Sequence, residues 1–129
     1  MNRIPIKPLS VNEAWKGRRF KTASYSRYER DVIMILPSIS IPEEKLSVSL
    51  RFGLSNKRAD IDNPVKCFVD CLQKKYGFDD KDIYRMTLEK VDVKKGEEFI
   101  EFSIASFTKA EKVEAHYNKL ANDLQKTLN

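Results

Sequence analysis

The 129-residue sequence has no long apolar run, a single histidine and only two cysteines. Each scarcity removes a class of function. No stretch approaches the roughly 18 to 20 apolar residues that a membrane span needs. The N-terminal MNRIPIKPLS lacks the apolar stretch of a secretory signal. The chain is therefore expected to be soluble and intracellular. Cys67 and Cys71 lie four apart among apolar neighbours, and His116 is far along the chain, so no zinc-ligand set is at hand. The two thiols are expected to be small, partly buried packing groups. A glycine-rich phosphate loop is missing too, which argues against a magnesium-dependent nucleotide phosphohydrolase. No internal repeat or low-complexity tract is found.

What is present suits one globular domain spanning residues 1–129, with 41% hydrophobic residues and aromatics spread along the chain. Basic residues number 24 against 19 acidic, a net charge of +5, which suggests an anionic partner such as nucleic acid. The excess is local. KGRRFKTASYSRYER, residues 16 to 30, holds six basic residues and one acidic. Trp15, Phe20 and Tyr25 lie in or beside this segment. They could stack on unpaired bases at a branch point, and core packing or a dimer contact is at least as good a use for Trp15.

Periodicity places the elements. Residues 3 to 7 suggest a short strand and residues 8 to 22 a loop. A helix is expected from about Ser24 to Leu36, with Tyr25, Tyr28, Val32 and Ile35 on its apolar face. KLSVSLRFGL at 45 to 54 alternates, which predicts a half-buried strand with Leu46, Val48, Leu50 and Phe52 inward. Asn63-Pro64 marks a helix start, with Asn63 as N-cap, and Gly77 its stop. Its inward face would be Val65, Phe68, Val69, Leu72 and Tyr76, with Lys66, Asp70 and Gln73 on an adjacent polar stripe. Residues 83 to 93 and 98 to 107 predict two strands joined as a hairpin through Lys94, Lys95 and Gly96. A C-terminal helix over 109–128 carries Val113, Tyr117, Leu120, Leu124 and Leu128 on one stripe. That stripe needs a partner, either its own sheet or a second subunit, and spacing does not choose. His116, on this helix, is expected to have a surface or packing role. The sum is an α+β fold: a small mixed sheet of about four strands packed with helices, plus the C-terminal helix.

The concentration of acid in RADIDNPVKCFVDCLQKKYGFDD, residues 58 to 80, is unexpected in a basic chain. It holds Asp60, Asp62, Asp70, Asp79 and Asp80, with Lys66 among them. Asp60 and Asp62 are two apart in a stretch expected to be extended, which would point both side chains the same way. Acid before a helix N-terminus also complements the helix dipole, which accounts for Asp62 better than for Asp60. Asp79 and Asp80 join Asp60 and Asp62 only if the chain folds back at Gly77 and the next strand starts beside the first; otherwise they are a turn. Carboxylates that do converge are tolerated around a hard divalent cation, and an oxygen-only donor set selects Mg²⁺ or Mn²⁺. An isolated Asp-x-Asp pair is a weak sign of such a site.

The longer constellation, D-I-D-N-P-V-K at 60 to 66, Asp70 and Leu72 in F-V-D-C-L, and G-F-D-D at 77 to 80, resembles the RusA family of Holliday junction resolvases of bacteria and their phages. Pro8, Ser10 and Asn12 agree with a further patch of that family's pattern, and the resemblance spans about residues 3 to 107. It implies a homodimeric, cytoplasmic enzyme that makes paired symmetric nicks in four-way DNA junctions with Mg²⁺ or Mn²⁺. It implies metal carboxylates at Asp60, Asp62 and Asp80, with Asp79 as a further ligand, a catalytic lysine at Lys66, and Asp70 in support of Lys66. Phosphate contacts are expected from Lys16, Arg18, Arg19, Lys21, Arg27, Lys57 and Arg58. The reading from a different class is a branched-DNA-binding module without cutting activity; the completeness of the acid and lysine set favours the enzyme. The helix over 109–128 is an extension to which the resemblance assigns no role.

Overall fold

The computed structural model describes residues 1–16 and 20–128, and the side chains of Lys16, Phe20, Ala110, Glu111 and Leu128 fall outside the description. The elements run in the order β1 (Asn2–Ile4), α1 (Val11–Ala14), β2 (Trp15–Lys16), β3 (Phe20–Lys21), α2 (Ala23–Ile35), β4 (Leu46–Leu54), α3 (Val65–Tyr76), β5 (Ile83–Asp92), β6 (Phe99–Ser106) and α4 (Phe107–Leu128). The fold is α+β. One four-stranded mixed sheet in the order β1-β6-β4-β5 carries it, with β2 and β3 as a separate small ribbon.

β4 is the organising strand. It pairs parallel with β5 and antiparallel with β6. The β5 and β6 segments are strands as expected, but they are not a hairpin. β4 lies between them, so each bonds to β4 rather than to the other. The local turn at 94 to 96 is compatible with either arrangement, and alternation within a strand carries no information about its neighbours.

The sheet has two unlike faces. On one, Val48, Leu50 and Phe52 of β4 join Ile100 and Phe102 of β6 beneath α2 and α3, all buried. Phe68 of α3 sits among them, edge-on to Phe52 at 6.3 Å and to Phe102 at 5.7 Å between ring centroids. Cys67 and Cys71 belong to this core and are fully buried, more so than their sequence context suggests. Burial, first of all, pushes their thiols up to about 11 and about 12, which keeps them as unreactive packing groups. On α2, Tyr25, Tyr28 and Val32 point inward as expected, but Ile35 is exposed and Leu36, at the helix C-cap, is buried instead. The helix ends there, so the periodicity that selected Ile35 no longer governs.

The opposite face carries a charge ladder running across all four strands. Arg3 (β1) lies opposite Glu101 (β6), Glu101 opposite Arg51 (β4), and Arg51 opposite Glu89 (β5). Arg3 donates to Glu101 from Nε at 2.7 Å, and Arg51 reaches Glu101 and Glu89 at 3.6 Å each. The Arg3 hydrogen bond holds the Glu101 carboxyl below its ordinary value, with Arg51 adding to it against the effect of burial. A carboxylate whose folded pKa is depressed contributes stability above its unfolded value and loses it as pH falls through the folded one. Glu101→Gln should therefore lower stability by about 1 kcal/mol at pH 7. The difference from the wild type should shrink below about pH 4, as read by urea unfolding at both pH values.

The N-terminal part is more structured than a loop. Ser10 caps α1 by accepting from the Asn12 N–H, and Thr22 caps α2 by accepting from the Tyr25 N–H at 3.1 Å. Thr22 also donates from its hydroxyl to the Glu13 carbonyl at 2.7 Å, tying the α2 cap to α1. The β2 and β3 strands are two residues each, below the length at which alternation is readable.

Candidate active-site groove

Helix α3 positions the acid and lysine set. Its start differs from the expected cap. Pro64 occupies the N-cap position without a side-chain cap, and Asn63 does not fill that role. Residues 60 to 65 form successive turns, with the Asn63 N–H donating to the Asp60 carbonyl at 3.2 Å and the Val65 N–H to the Asp62 carbonyl at 3.1 Å. The stretch is thus not extended, and strand alternation does not set the directions of Asp60 and Asp62. These main-chain bonds do the capping that Asn63 was expected to do. The far end is as expected. Gly77 adopts a left-handed conformation with φ of 76°, and its N–H donates to the Gln73 carbonyl at 2.8 Å.

Between α3 and the edge strand β5 runs an open groove of about 600 Å³. Asp62, Lys66 and Asp70 line it from the helix side, with Asp80 beyond the helix end and Arg85, Met86 and Leu88 on the β5 wall. Asp60 and Asp79 do not line it. Asp62 precedes α3 and Asp80 follows it, and this 12-residue helix is roughly 18 Å long at 1.5 Å per residue. β5 does run beside β4 and parallel to it, but its first residue lies opposite the first residue of β4. The fold-back therefore returns Asp79 and Asp80 to the end of the sheet away from Asp60 and Asp62. Among the described residues, no three histidine, cysteine or carboxylate side chains gather as a metal site. The donor set is chemically suited to a hard cation, since every candidate ligand is a carboxylate oxygen. Spatially, a single chain splits it into two ends. Asp79 has a local role. It accepts from the Lys81 N–H at 3.1 Å, which holds its carboxyl below the ordinary value and caps the short turn at Asp80–Asp82.

Lys66 is exposed, with Nζ 3.6 Å from Asp70 Oδ2 one helical turn on. The same Asp70 oxygen accepts the Tyr25 hydroxyl at 3.1 Å. Tyr25 is buried on α2, its ring edge-on to Trp15 at 5.5 Å. A buried tyrosine thus fixes Asp70, and Asp70 in turn faces Lys66. This residue pair is a contact between helices, so no spacing in the sequence announces it. Burial raises the Tyr25 pKa first of all, and the Asp70 charge adds to the rise, so the hydroxyl keeps its proton and donates it. Tyr25→Phe is expected to cost about 1 to 2 kcal/mol in urea unfolding, because Asp70 then loses a buried donor to its charge.

The proposed phosphate-binding side chains divide. Arg18 and Arg19, and the side chain of Lys16, lie outside the described residues. Lys21 is exposed but engaged, 3.1 Å from Glu29, which also binds Lys74 at 2.7 Å. Burial pulls the Glu29 carboxyl up, and the hydrogen bonds from Lys74 and Lys21 outweigh it and leave it below its ordinary value. Lys57 and Arg58 are exposed on the loop leading to Asp60. That loop is pinned by Lys90 of β5, whose Nζ donates to the carbonyls of Ala59 at 2.9 Å and Lys57 at 3.3 Å. Arg27 is exposed on α2, on the wall of a separate pocket with Lys7 and Asp31. Sequence reasoning missed Lys90 and the groove cation Arg85. Both sit in β5, where alternation marks only a face.

Residues 5–104 match the family described as Endodeoxyribonuclease RusA. The chain belongs to the RusA family. The match begins just after β1, covers β4, β5 and most of β6 together with the groove and the candidate carboxylates Asp60, Asp62, Asp70, Asp79 and Asp80, and stops before α4. No curated protein gives a significant match. Among the described residues no helix is long and apolar enough to cross a membrane.

Proposed function

We propose that the protein is a Holliday junction resolvase, an endodeoxyribonuclease that makes paired symmetric nicks in four-way DNA junctions as a homodimer, in the cytoplasm of a bacterial cell or a phage-infected host. The observation that carries this reading is the family match over the region that holds Asp60, Asp62, Lys66 and Asp80. Asp60, Asp62 and Asp80, with Asp79 as a further candidate, would hold Mg²⁺ or Mn²⁺. Such an ion, when bound, polarises the phosphate and lowers the pKa of a coordinated water. In the reaction a water oxygen bonds to phosphorus, the bond to the leaving sugar oxygen breaks, and that oxygen gains a proton. Lys66, exposed on the groove wall beside Asp62, is placed to offset charge building on the phosphate, with Asp70 and Tyr25 setting its position. Lys57 and Arg58, together with Lys16, Arg18, Arg19, Lys21 and Arg27, would hold the DNA backbone without reading sequence.

Because α3 separates the two acidic ends, we read the metal set as completed between two copies, Asp60 and Asp62 from one and Asp80 from the other. A four-way junction is roughly two-fold symmetric, as is a dimer with two such sites. The same separation favours, as second reading, a branched-DNA-binding module that does not cut. The first test is a synthetic four-way junction and its linear duplex, each with and without Mg²⁺. The resolvase reading expects Mg²⁺-dependent nicking of the junction and sparing of the duplex. Junction binding with no nicking in Mg²⁺ or Mn²⁺ would replace it with the second reading.

A further inference from the structure

Lys90 stands where an apolar residue is expected. The parallel register sets Met86 of β5 beside Val48, Leu88 beside Leu50 and Lys90 beside Phe52. The β4 residues of that row are all buried beneath the helices, and Leu88 packs against the same core. Lys90 thus ends an inward-facing row with an ammonium group, half-buried. Such a group is tolerated there when its stem lies along apolar surface and its head finds acceptors.

The acceptors come from the main chain of one loop. Lys90 Nζ donates to the Ala59 carbonyl at 2.9 Å and to the Lys57 carbonyl at 3.3 Å. Among the described residues, the remaining hydrogen bonds of residues 57–60 stay local. The Ala59 N–H donates to the Asn56 carbonyl at 3.2 Å, the Arg58 N–H to Asn56 Oδ1 at 3.0 Å, and the Asn63 N–H to the Asp60 carbonyl at 3.2 Å. These bonds shape the turns without tying them to the sheet. Lys90 supplies that tie. Past the two acids, the Val11 N–H donates to the Asn63 carbonyl at 2.9 Å and fixes the other side. Asp60 and Asp62 are therefore held between two anchored points, and Lys57 and Arg58 lie at the first of them.

We propose that Lys90 is a positioning residue for the nuclease. Through the carbonyls of Lys57 and Ala59 it sets the segment that presents Asp60 and Asp62 to the divalent cation. It acts through that segment and touches neither cation nor DNA. This role rests on the resolvase reading above, which supplies the cation and the substrate. Outer groups that orient metal ligands typically change metal affinity or activity 10- to 100-fold, roughly, when removed. Lys90→Met keeps the length and the apolar stem but removes the donors, so it isolates the tie.

The test measures Mn²⁺ binding to the full chain, from the free-ion signal in electron paramagnetic resonance, beside Mg²⁺ titrations of junction nicking. Lys90→Met should weaken Mn²⁺ binding about tenfold and raise the Mg²⁺ midpoint for nicking by a similar factor, with most of the rate returning at saturating Mg²⁺. Lys90→Arg, which keeps donors for both carbonyls, should stay within about threefold of the wild type. Urea unfolding checks that each variant is folded at the assay temperature, and Lys90→Gln gives the same reading should Lys90→Met not fold. A purely structural lysine predicts a different pattern: unchanged Mn²⁺ binding by the folded chain, and nicking reduced in the same proportion at every Mg²⁺ concentration. That pattern, a wild type without Mn²⁺ affinity, or an arginine variant as weak as the methionine one would each overturn the proposal. A wild type that binds Mn²⁺ but never nicks junctions would end the resolvase reading, while the Mn²⁺ comparison still decides the role of Lys90.

Discussion

Asp62→Asn and Asp80→Asn chains, each inactive alone, are expected to regain junction nicking when mixed and allowed to exchange subunits. Either substitution removes a carboxylate oxygen that a hard cation cannot replace with an amide of equal strength. Each homodimer should therefore lose at least about a thousandfold in rate. Mixing distinguishes two geometries. If each site takes Asp62 from one chain and Asp80 from the other, a mixed dimer has one intact site and one doubly damaged site. Random exchange makes about half the dimers mixed, so about a quarter of the wild-type sites return. If all ligands belonged to a single chain, no mixed dimer would contain an intact site and nothing would return. The reason to expect recovery is that α3 lies between Asp62 and Asp80, which line opposite ends of the same groove. The readout should be single nicks, because paired nicks need both sites. A mixture as inactive as its components, with subunit exchange shown independently, would place the acidic set within one chain.

The parts of this molecule legible in its sequence are those governed by local periodicity and by turn chemistry. The alternation of Leu46, Val48, Leu50 and Phe52 marks β4 because one face of the strand is buried. Gly77 marks the end of α3 because the chain there needs a positive φ. The Asp60 to Lys66 run and the Asp79-Asp80 pair were visible as a family pattern, and the family match agrees. What was hidden depends on relations between distant segments. The insertion of β4 between β5 and β6 is a choice among neighbours with similar alternation. Lys90 reaches the loop before Asp60 only because β5 runs parallel to β4. The Tyr25 to Asp70 bond joins residues 45 apart and looks, from sequence, like two unrelated facts. The position of Asp80 depends on where the chain folds back after Gly77, and the parallel register decides it: the strand returns, at the other end.

Phe68→Ala is expected to be the most damaging single substitution away from the carboxylates, costing about 3 to 5 kcal/mol of folding stability. Phe68 is fully buried between Phe52 of the central strand and Phe102 of β6, edge-on to both. Truncation removes an aromatic side chain and both edge contacts. It also leaves a cavity that the flanking Cys67, Val69 and Leu72 are too short to fill. Domains of this size have roughly 5 to 15 kcal/mol in total, so such a loss takes a large share. Phe68→Leu keeps most of the volume and should cost about 1 to 2 kcal/mol. Urea unfolding followed by circular dichroism gives both numbers. The function follows the stability, because the helix that holds Phe68 in the core is the one that holds Lys66 and Asp70 on the groove. A Phe68→Ala chain that is still folded should therefore nick junctions more weakly, and the activity should recover on cooling as the native fraction rises. The opposite holds on α4, where Leu120 is exposed: Leu120→Asp should leave the stability of the core within about 0.5 kcal/mol of wild type. Equal stability losses from Phe68→Ala and Leu120→Asp would mean that the stripe on α4 is buried in the free chain after all, and the helix would then be part of the core.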